Sequence, residues 1–241
     1  VKIKDIKKLI LPLRHTPLHP QWLINRNGEV ALSRLLQDTD CLVLDIGCAD
    51  KTAGKHVRNK LNYIGLDYYV TASGWYETVP DVFADAQALP FAGESIGTVL
   101  LLDVLEHLPE PDLCMAEVNR VLKLRGKVII YVPFMYPLHD VPLDFQRWTR
   151  YGLERLLSKH RLTITELHED GNIGESWAIL TNLALSRILL WCISHRHPLL
   201  LLAVFIPFLI PVINLAGYIA TRMLPHISYI PYRYRIVSIK D

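Results

Sequence analysis

Five apolar segments recur in order along the first half of this chain, and four of them carry an acid near the carboxyl end. The first is Cys41 to Ile46, with Asp45 inside it and a break at Gly47. Tyr63-Ile64-Gly65-Leu66-Asp67 follows, then Val82 to Phe91 with Asp85 closing a short strand, then Thr98 to Leu108 with Asp103 inside it, and then Arg125 to Pro133. Short continuous apolar runs that stop at small or acidic residues read as strands buried on both faces, the pattern of a parallel sheet. In such a sheet every strand delivers its carboxyl end to the same edge, where ligands bind. The series therefore predicts a doubly wound α/β fold with several carboxylates gathered at one edge.

The chemistry of that edge is legible in part. The loop Gly47-Cys48-Ala49-Asp50 has small residues that let a ligand approach the backbone. It lacks the glycine patterns of phosphate-cradling loops, and a carboxylate at Asp45 or Asp50 suits a ligand bearing positive charge. An acid at the end of the second strand, Asp67, is placed to accept from ribose hydroxyls. Asp85 is placed to accept from an exocyclic amine on adenine.

In this order and spacing, the text from Cys41 to Leu157 resembles the class I S-adenosylmethionine-dependent methyltransferases, in particular their small-molecule and glycan branch. The segments that carry the resemblance are Leu44-Asp45-Ile46-Gly47-Cys48, Gly65-Leu66-Asp67, Asp85 to Phe91, Val104-Leu105-Glu106-His107-Leu108 and Glu117 to Gly126. Pro137 to Thr149 is similar to a sub-branch associated with glycans and cell-surface polysaccharides. The resemblance implies a seven-stranded, mostly parallel, Rossmann-like sheet whose last two strands are antiparallel, and S-adenosylmethionine as cofactor. It implies cofactor contacts from Asp45, Gly47, Cys48, Ala49, Asp67, Tyr68, Asp85, Ala86 and Asp103. The chain departs from the family at Ala49, where a second glycine is usual and where alanine is tolerated if φ is negative. It departs again at Gly97, where the family usually has Asp.

Methyl transfer to a hydroxyl needs alignment and a base for the leaving proton. His107, after the fourth strand, is one candidate base; its alternative role is to support the cofactor loop. His139 with its neighbour Asp140, after the fifth strand, is the second. Tyr136, Asp144, Arg147 and Trp148 are candidates for the acceptor side. Asp144 and Arg147 are alternatively an ion pair that braces the loop.

Around this core the chain divides, as an expectation, into an N-terminal helical cap (1–38), a methyltransferase core (39–170), an apolar helical insertion (171–225) and the last strand (226–241). Asp112 is expected to cap a helix that Gly126 ends, and Thr149 to cap the next. Residues 1–14 read as a basic amphipathic helix, and Glu29 to Leu36 as a short helix over the cofactor cleft. The insertion, between strands six and seven, holds Trp177 to Ile193 and the uncharged Leu199 to Ala220. A stretch of about 20 apolar residues suffices to cross a bilayer. Both ends must return to one sheet, so a single crossing is excluded. Two crossings would put His195, Arg196 and His197 on the far side, against the positive-inside tendency, and Pro207 and Pro211 are expected to break the second helix. A shallow hairpin in one leaflet is the expectation; a lid or a homodimer interface is the alternative use of the same residues.

With formal net charge +2, the chain has no bulk nucleic-acid footprint. Its four cysteines show no metal-ligand spacing and read as reduced thiols, so no metal site is expected. The resulting expectation is a cytoplasmic enzyme at the inner membrane face that methylates a hydroxyl of a small-molecule or lipid-linked glycan. Methylation of a free quinone- or polyketide-like metabolite and a non-catalytic membrane scaffold are the alternatives.

Overall fold

The computed structural model describes residues 10–37, 39–225 and 229–241. The basic segment at residues 1–9 lies outside them, so the amphipathic-helix reading of residues 1–14 falls mostly beyond the described chain; Leu11–Leu13 is a single 3₁₀ turn.

The chain forms two compact units. The larger contains the sheet: β1 (Val43–Ile46), β2 (Tyr63–Asp67), β3 (Val82–Phe83), β4 (Ile96–Leu102), β5 (Leu122–Pro133), β6 (Leu162–Asp170) and β7 (Arg233–Lys240). Their order is β3-β2-β1-β4-β5-β7-β6. All neighbouring pairs are parallel up to β5, whereas β7 runs antiparallel to both β5 and β6. This is the doubly wound, mostly parallel sheet that the strand series predicts.

Alternate residues of the buried runs serve opposite faces. Leu44, Ile46, Val99 and Leu101 pack with Cys114, Met115 and Val118 of helix α2 (Pro111–Val121) and with Leu153, Leu156 and Leu157 of α3 (Arg150–Lys159). Val43, Leu100, Ile129 and Val237 pack on the other face with Leu32 and Leu36, from the end of α1 (Trp22–Leu36), and with Ala53 and Val57. Helix α1 begins well before the predicted Glu29. Thr149 caps α3 as expected, accepting from Gly152 N at 3.1 Å. Asp112 does not cap α2. It lies in the first turn, with Glu110 at the cap position, and pairs with Lys159 and His160. Nor does Gly126 end that helix: α2 stops at Val121, and Gly126 lies within β5, where a Cβ would stand 2.8 Å from Lys123 O. At Gly97 a Cβ would lie 2.4 Å from Cys41 Cβ, so the space for an acid there is filled.

The second unit is built on two long helices, α4 (Ile173–Ser194) and α6 (Ile206–Met223), joined through the short turn α5 (Leu200–Ala203). Asn172 caps α4 by accepting from Gly174 N at 2.9 Å. Small residues let the two backbones touch. A Cβ on Gly217 would be 2.5 Å from Ala178 Cβ, and one on Gly174 would be 2.9 Å from Ala220 Cβ. One turn further in, the fully buried Asn182 donates to Asn214 Oδ1 at 2.9 Å. Pro207 and Pro211 do not break α6. Pro207 occupies the first turn, where no N–H is needed, and the helix continues through Pro211 to Met223.

Candidate active site

Parallel pairing brings the carboxyl ends of β1 to β5 to one edge, and the predicted cofactor residues stand there. Gly47 N and Cys48 N both donate to Leu66 O, which ties the first loop to β2. Gly47 has φ +72°, and a Cβ on it would fall 2.6 Å from Val104 Cγ2, so only glycine fits. Asp67 is buried; it accepts from Ala49 N (2.9 Å), Tyr68 N (2.7 Å) and Thr71 Oγ1 (3.0 Å). A carboxylate offers about four acceptor positions, so Asp67 shapes the pocket backbone and keeps about one position for a ribose hydroxyl rather than two.

Asp45 is buried in β1 and accepts from Tyr63 Oη at 2.6 Å. Burial pushes it up to about 7 against the lowering effect of that hydrogen bond, and Asp67 and Asp50 push it further in the same direction. A cationic ligand would relieve this crowding of negative charge. Burial, with Asp45 and Asp67 nearby, also pushes the Cys48 thiol up to about 12, so Cys48 is an inert wall residue. Asp85 stands two residues past β3 and accepts from Gln87 N at 2.8 Å, with Ala86 buried beside it. Asp103 follows β4 in a left-handed conformation, its N–H donating to Tyr131 O. Tyr68 is half exposed.

Ala49 does not meet the condition set for it: its φ is +43°, in the left-handed region. An L-residue there costs roughly 1–2 kcal/mol. Ala49→Gly is therefore expected to stabilise the protein by about 1 kcal/mol, raising Tm by about 2–4 °C for a domain of this size. A thermal melt of the two proteins checks it.

The candidate bases come together. His107 and His139 pack edge to face, with ring centroids 4.8 Å apart. Each Nε2 lies 3.8 Å from Oε1 of Glu106, a fully buried residue that the motif reading passed over. The signal was an acid inside Val104-Leu105-Glu106-His107-Leu108, where a buried charge needs a purpose. His107 Nδ1 contacts Leu143 O at 2.7 Å, so this histidine braces the segment after β5 rather than the cofactor loop.

Asp140 is not the orienting partner of His139. Its carboxylate accepts from Tyr76 Oη at 2.7 Å. Asp144 takes that place, lying 3.3 Å from His139 Nδ1 and accepting from His139 N at 2.9 Å. Arg147 holds Asp144 through both guanidinium nitrogens, Nη2 to Oδ2 at 2.7 Å. The pair is thus the brace, the alternative given for it above. Trp148 packs against the core of the sheet unit, and Tyr136 belongs to the helical unit, where it accepts from Gln21 Nε2.

Burial alone would raise Asp144, but the hydrogen bonds from Arg147 and His139 N outweigh it and hold the carboxyl down to about 2. A depressed acid stabilises the fold above its unfolded value, near 4, and that contribution is lost as pH falls through about 2. Asp144→Asn is expected to lower stability by ~2 kcal/mol at pH 7 and by much less below pH 3. Denaturant melts at the two pH values measure it.

The strand order, with β7 antiparallel at the far side of β5, is the Rossmann-like sheet of the class I S-adenosylmethionine-dependent methyltransferase fold. Residues 44–130 match the family profile described as Methyltransferase domain. No curated protein matches the sequence. Among solved structures, an S-adenosylmethionine-dependent methyltransferase from Archaeoglobus fulgidus aligns with TM-score 0.53 at 18% identity, covering 88% of this chain and 94% of that one. The [4+2]-cyclase SpnF aligns with TM-score 0.54 at 15% identity over 89% and 80% of the two chains. At these identities the likeness concerns the fold, which hosts more than one reaction. The protein is a methyl-transfer enzyme, and its cofactor is S-adenosylmethionine.

The pocket residues fit that group. Gly47 leaves room for close approach, Asp67 keeps an acceptor position, and Asp45, Asp50 and Asp67 set a negative field for a cation. When bound, the cofactor supplies a methyl group already activated by sulfonium charge. Asp67→Ala is expected to weaken its binding by one to two powers of ten. The same change should cost about 2 kcal/mol of stability, since three loop donors lose a charged acceptor. Calorimetry and a melt separate the two effects, and unchanged affinity in a folded variant would remove Asp67 from the site.

Proposed function

We propose that the protein O-methylates a hydroxyl of a glycan, lipid-linked in its natural form, at the cytosolic face of a membrane. The observation that carries the hydroxyl chemistry is the convergence of His107, His139 and Glu106 at the cofactor edge of the sheet. A hydroxyl must lose its proton to become a nucleophile, and a positioned base supplies on the order of 10²–10⁴-fold.

The membrane part rests on the helical unit. Helices α4 and α6 are both long and apolar enough to span, and fewer than a third of the residues in the apolar window of each are buried within the protein. Leu201, Leu202, Phe205, Phe208, Val212 and Met223 are each more than half exposed. An uncovered apolar surface of this extent marks a membrane or partner contact. Asp170 and Arg233 face each other in the β6–β7 register, so the insertion leaves and returns at one place. Arg233 and Arg235, which follow the insertion, are not available to an anionic leaflet, because Asp170 holds both. Arg222 and Arg26 stack on the Tyr218 ring at 4.1 and 4.4 Å, without a carboxylate partner among the described residues, and take that role.

The test is methyl transfer from labelled cofactor to a panel of acceptors: polyprenyl-linked oligosaccharides, the same sugars free, and free quinones or phenols. Label in the lipid-linked sugar above the other two supports the reading. Label only in the quinones or phenols would replace it.

A further inference from the structure

We propose that Glu106, His107 and His139 bind a divalent first-row transition-metal ion. One ligand atom from each side chain lies within 4.8 Å of the others. Glu106 is completely buried, and neither of its oxygens has a hydrogen-bond partner. A buried carboxylate left in this state is costly unless a cation or a proton answers it.

The tautomer of His107 favours the cation. A carbonyl oxygen can only accept, so the 2.7 Å contact to Leu143 O puts the proton of His107 on Nδ1. Its Nε2 lone pair then points toward Glu106. At His139 the Nδ1 stands between Asp144 Oδ2 at 3.3 Å and the Arg147 guanidinium at 3.4 Å. A carbonyl and a carboxylate behind the two rings are the outer shell that metal-ligating histidines usually have. One histidine lone pair and one carboxylate thus face each other, with the second imidazole beside them.

Each Nε2 is 3.8 Å from Glu106 Oε1, beyond hydrogen-bond reach, so neither histidine shares a proton with the carboxyl. Two metal–ligand bonds of about 2.1 Å meeting at an open angle span that gap. A set of two histidines and one carboxylate leaves coordination positions open for an oxygen ligand. Sequence spacing gave no sign of such a site, because its third ligand comes from a different loop.

The role of the ion, though not its binding, rests on the methyl-transfer reading above. An acceptor hydroxyl would take an open position and release its proton to solvent. Its oxygen would then bond to the methyl carbon as the carbon–sulfur bond breaks, giving a methyl ether, the cofactor thioether and one proton. The ion would thus take over, through the histidines that hold it, the role of the base given to them above.

The test uses the full, tag-free chain, stripped with a chelator and titrated with Co²⁺ without cofactor or acceptor. Visible d–d bands that saturate at one equivalent are expected. Glu106→Gln and His139→Ala should weaken that binding at least tenfold, while His168→Ala, on an exposed histidine of β6, should not. Absence of a saturable spectrum in the wild-type chain, or wild-type affinity in folded Glu106→Gln, would overturn the proposal. Methyl transfer that persists after chelation would remove the role given to the ion, while binding without methyl transfer would keep the site and remove the reading it serves.

Discussion

Replacing His107 by alanine is expected to lower turnover by on the order of 10²-fold or more, with the affinity for S-adenosylmethionine little changed. The imidazole stands in the base cluster, 3.8 Å from Glu106 and edge to face with His139, and not among the loop bonds that Asp67 makes. Its other nitrogen has a mechanical duty, the 2.7 Å contact with Leu143 O. Alanine removes both functions, so a second variant is needed. His107→Asn can still donate to that carbonyl but cannot offer a lone pair where Nε2 stood. If Asn restores turnover, the residue is a brace. If Asn is as slow as Ala, the Nε2 position carries the chemistry. Loss of cofactor binding in step with turnover would place His107 in the cofactor pocket instead. Single-turnover rates and calorimetry on the three proteins decide.

The second large effect is on membrane binding. Leu202, Phe205 and Phe208 are exposed on the α5–α6 segment. If this surface enters a leaflet, each side chain contributes about 1.5–3 kcal/mol. Changing all three to serine should then reduce vesicle partitioning by on the order of 10³-fold or more, even allowing for incomplete additivity. Because the three are solvent-facing within the chain, Tm in detergent should barely move. Salt is a weaker lever: the cations Arg26 and Arg222 supply roughly 1 kcal/mol each near an anionic surface. High salt should therefore release the wild-type protein only partly and detergent fully. Wild-type protein that stays monodisperse without detergent, with a triple variant of lower melting temperature, would mean that the surface is covered by the protein itself or by a second copy.

The strand series, the sheet edge at which the acids gather and the cofactor class were legible in the sequence, because buried parallel strands write themselves as uninterrupted apolar runs. Asp67, Gly47 and Thr149 stand where local pattern puts them, since each role depends on a few neighbouring residues. Helix α4 and helix α6 were legible as apolar length. That Pro211 would be accommodated was not, since the outcome depends on the packing around the helix. Tertiary structure alone decided which carboxylate orients His139. Adjacent residues in an irregular segment diverge, so Asp140 reaches Tyr76 while Asp144 turns back, held by Arg147. It also decided that Ala49 is left-handed and that Glu106 meets both histidines. Sequence sets which residues are buried and at which end of a strand they stand. Which side chains then share a few ångströms is set by loops from distant strands, whose closure no local pattern records.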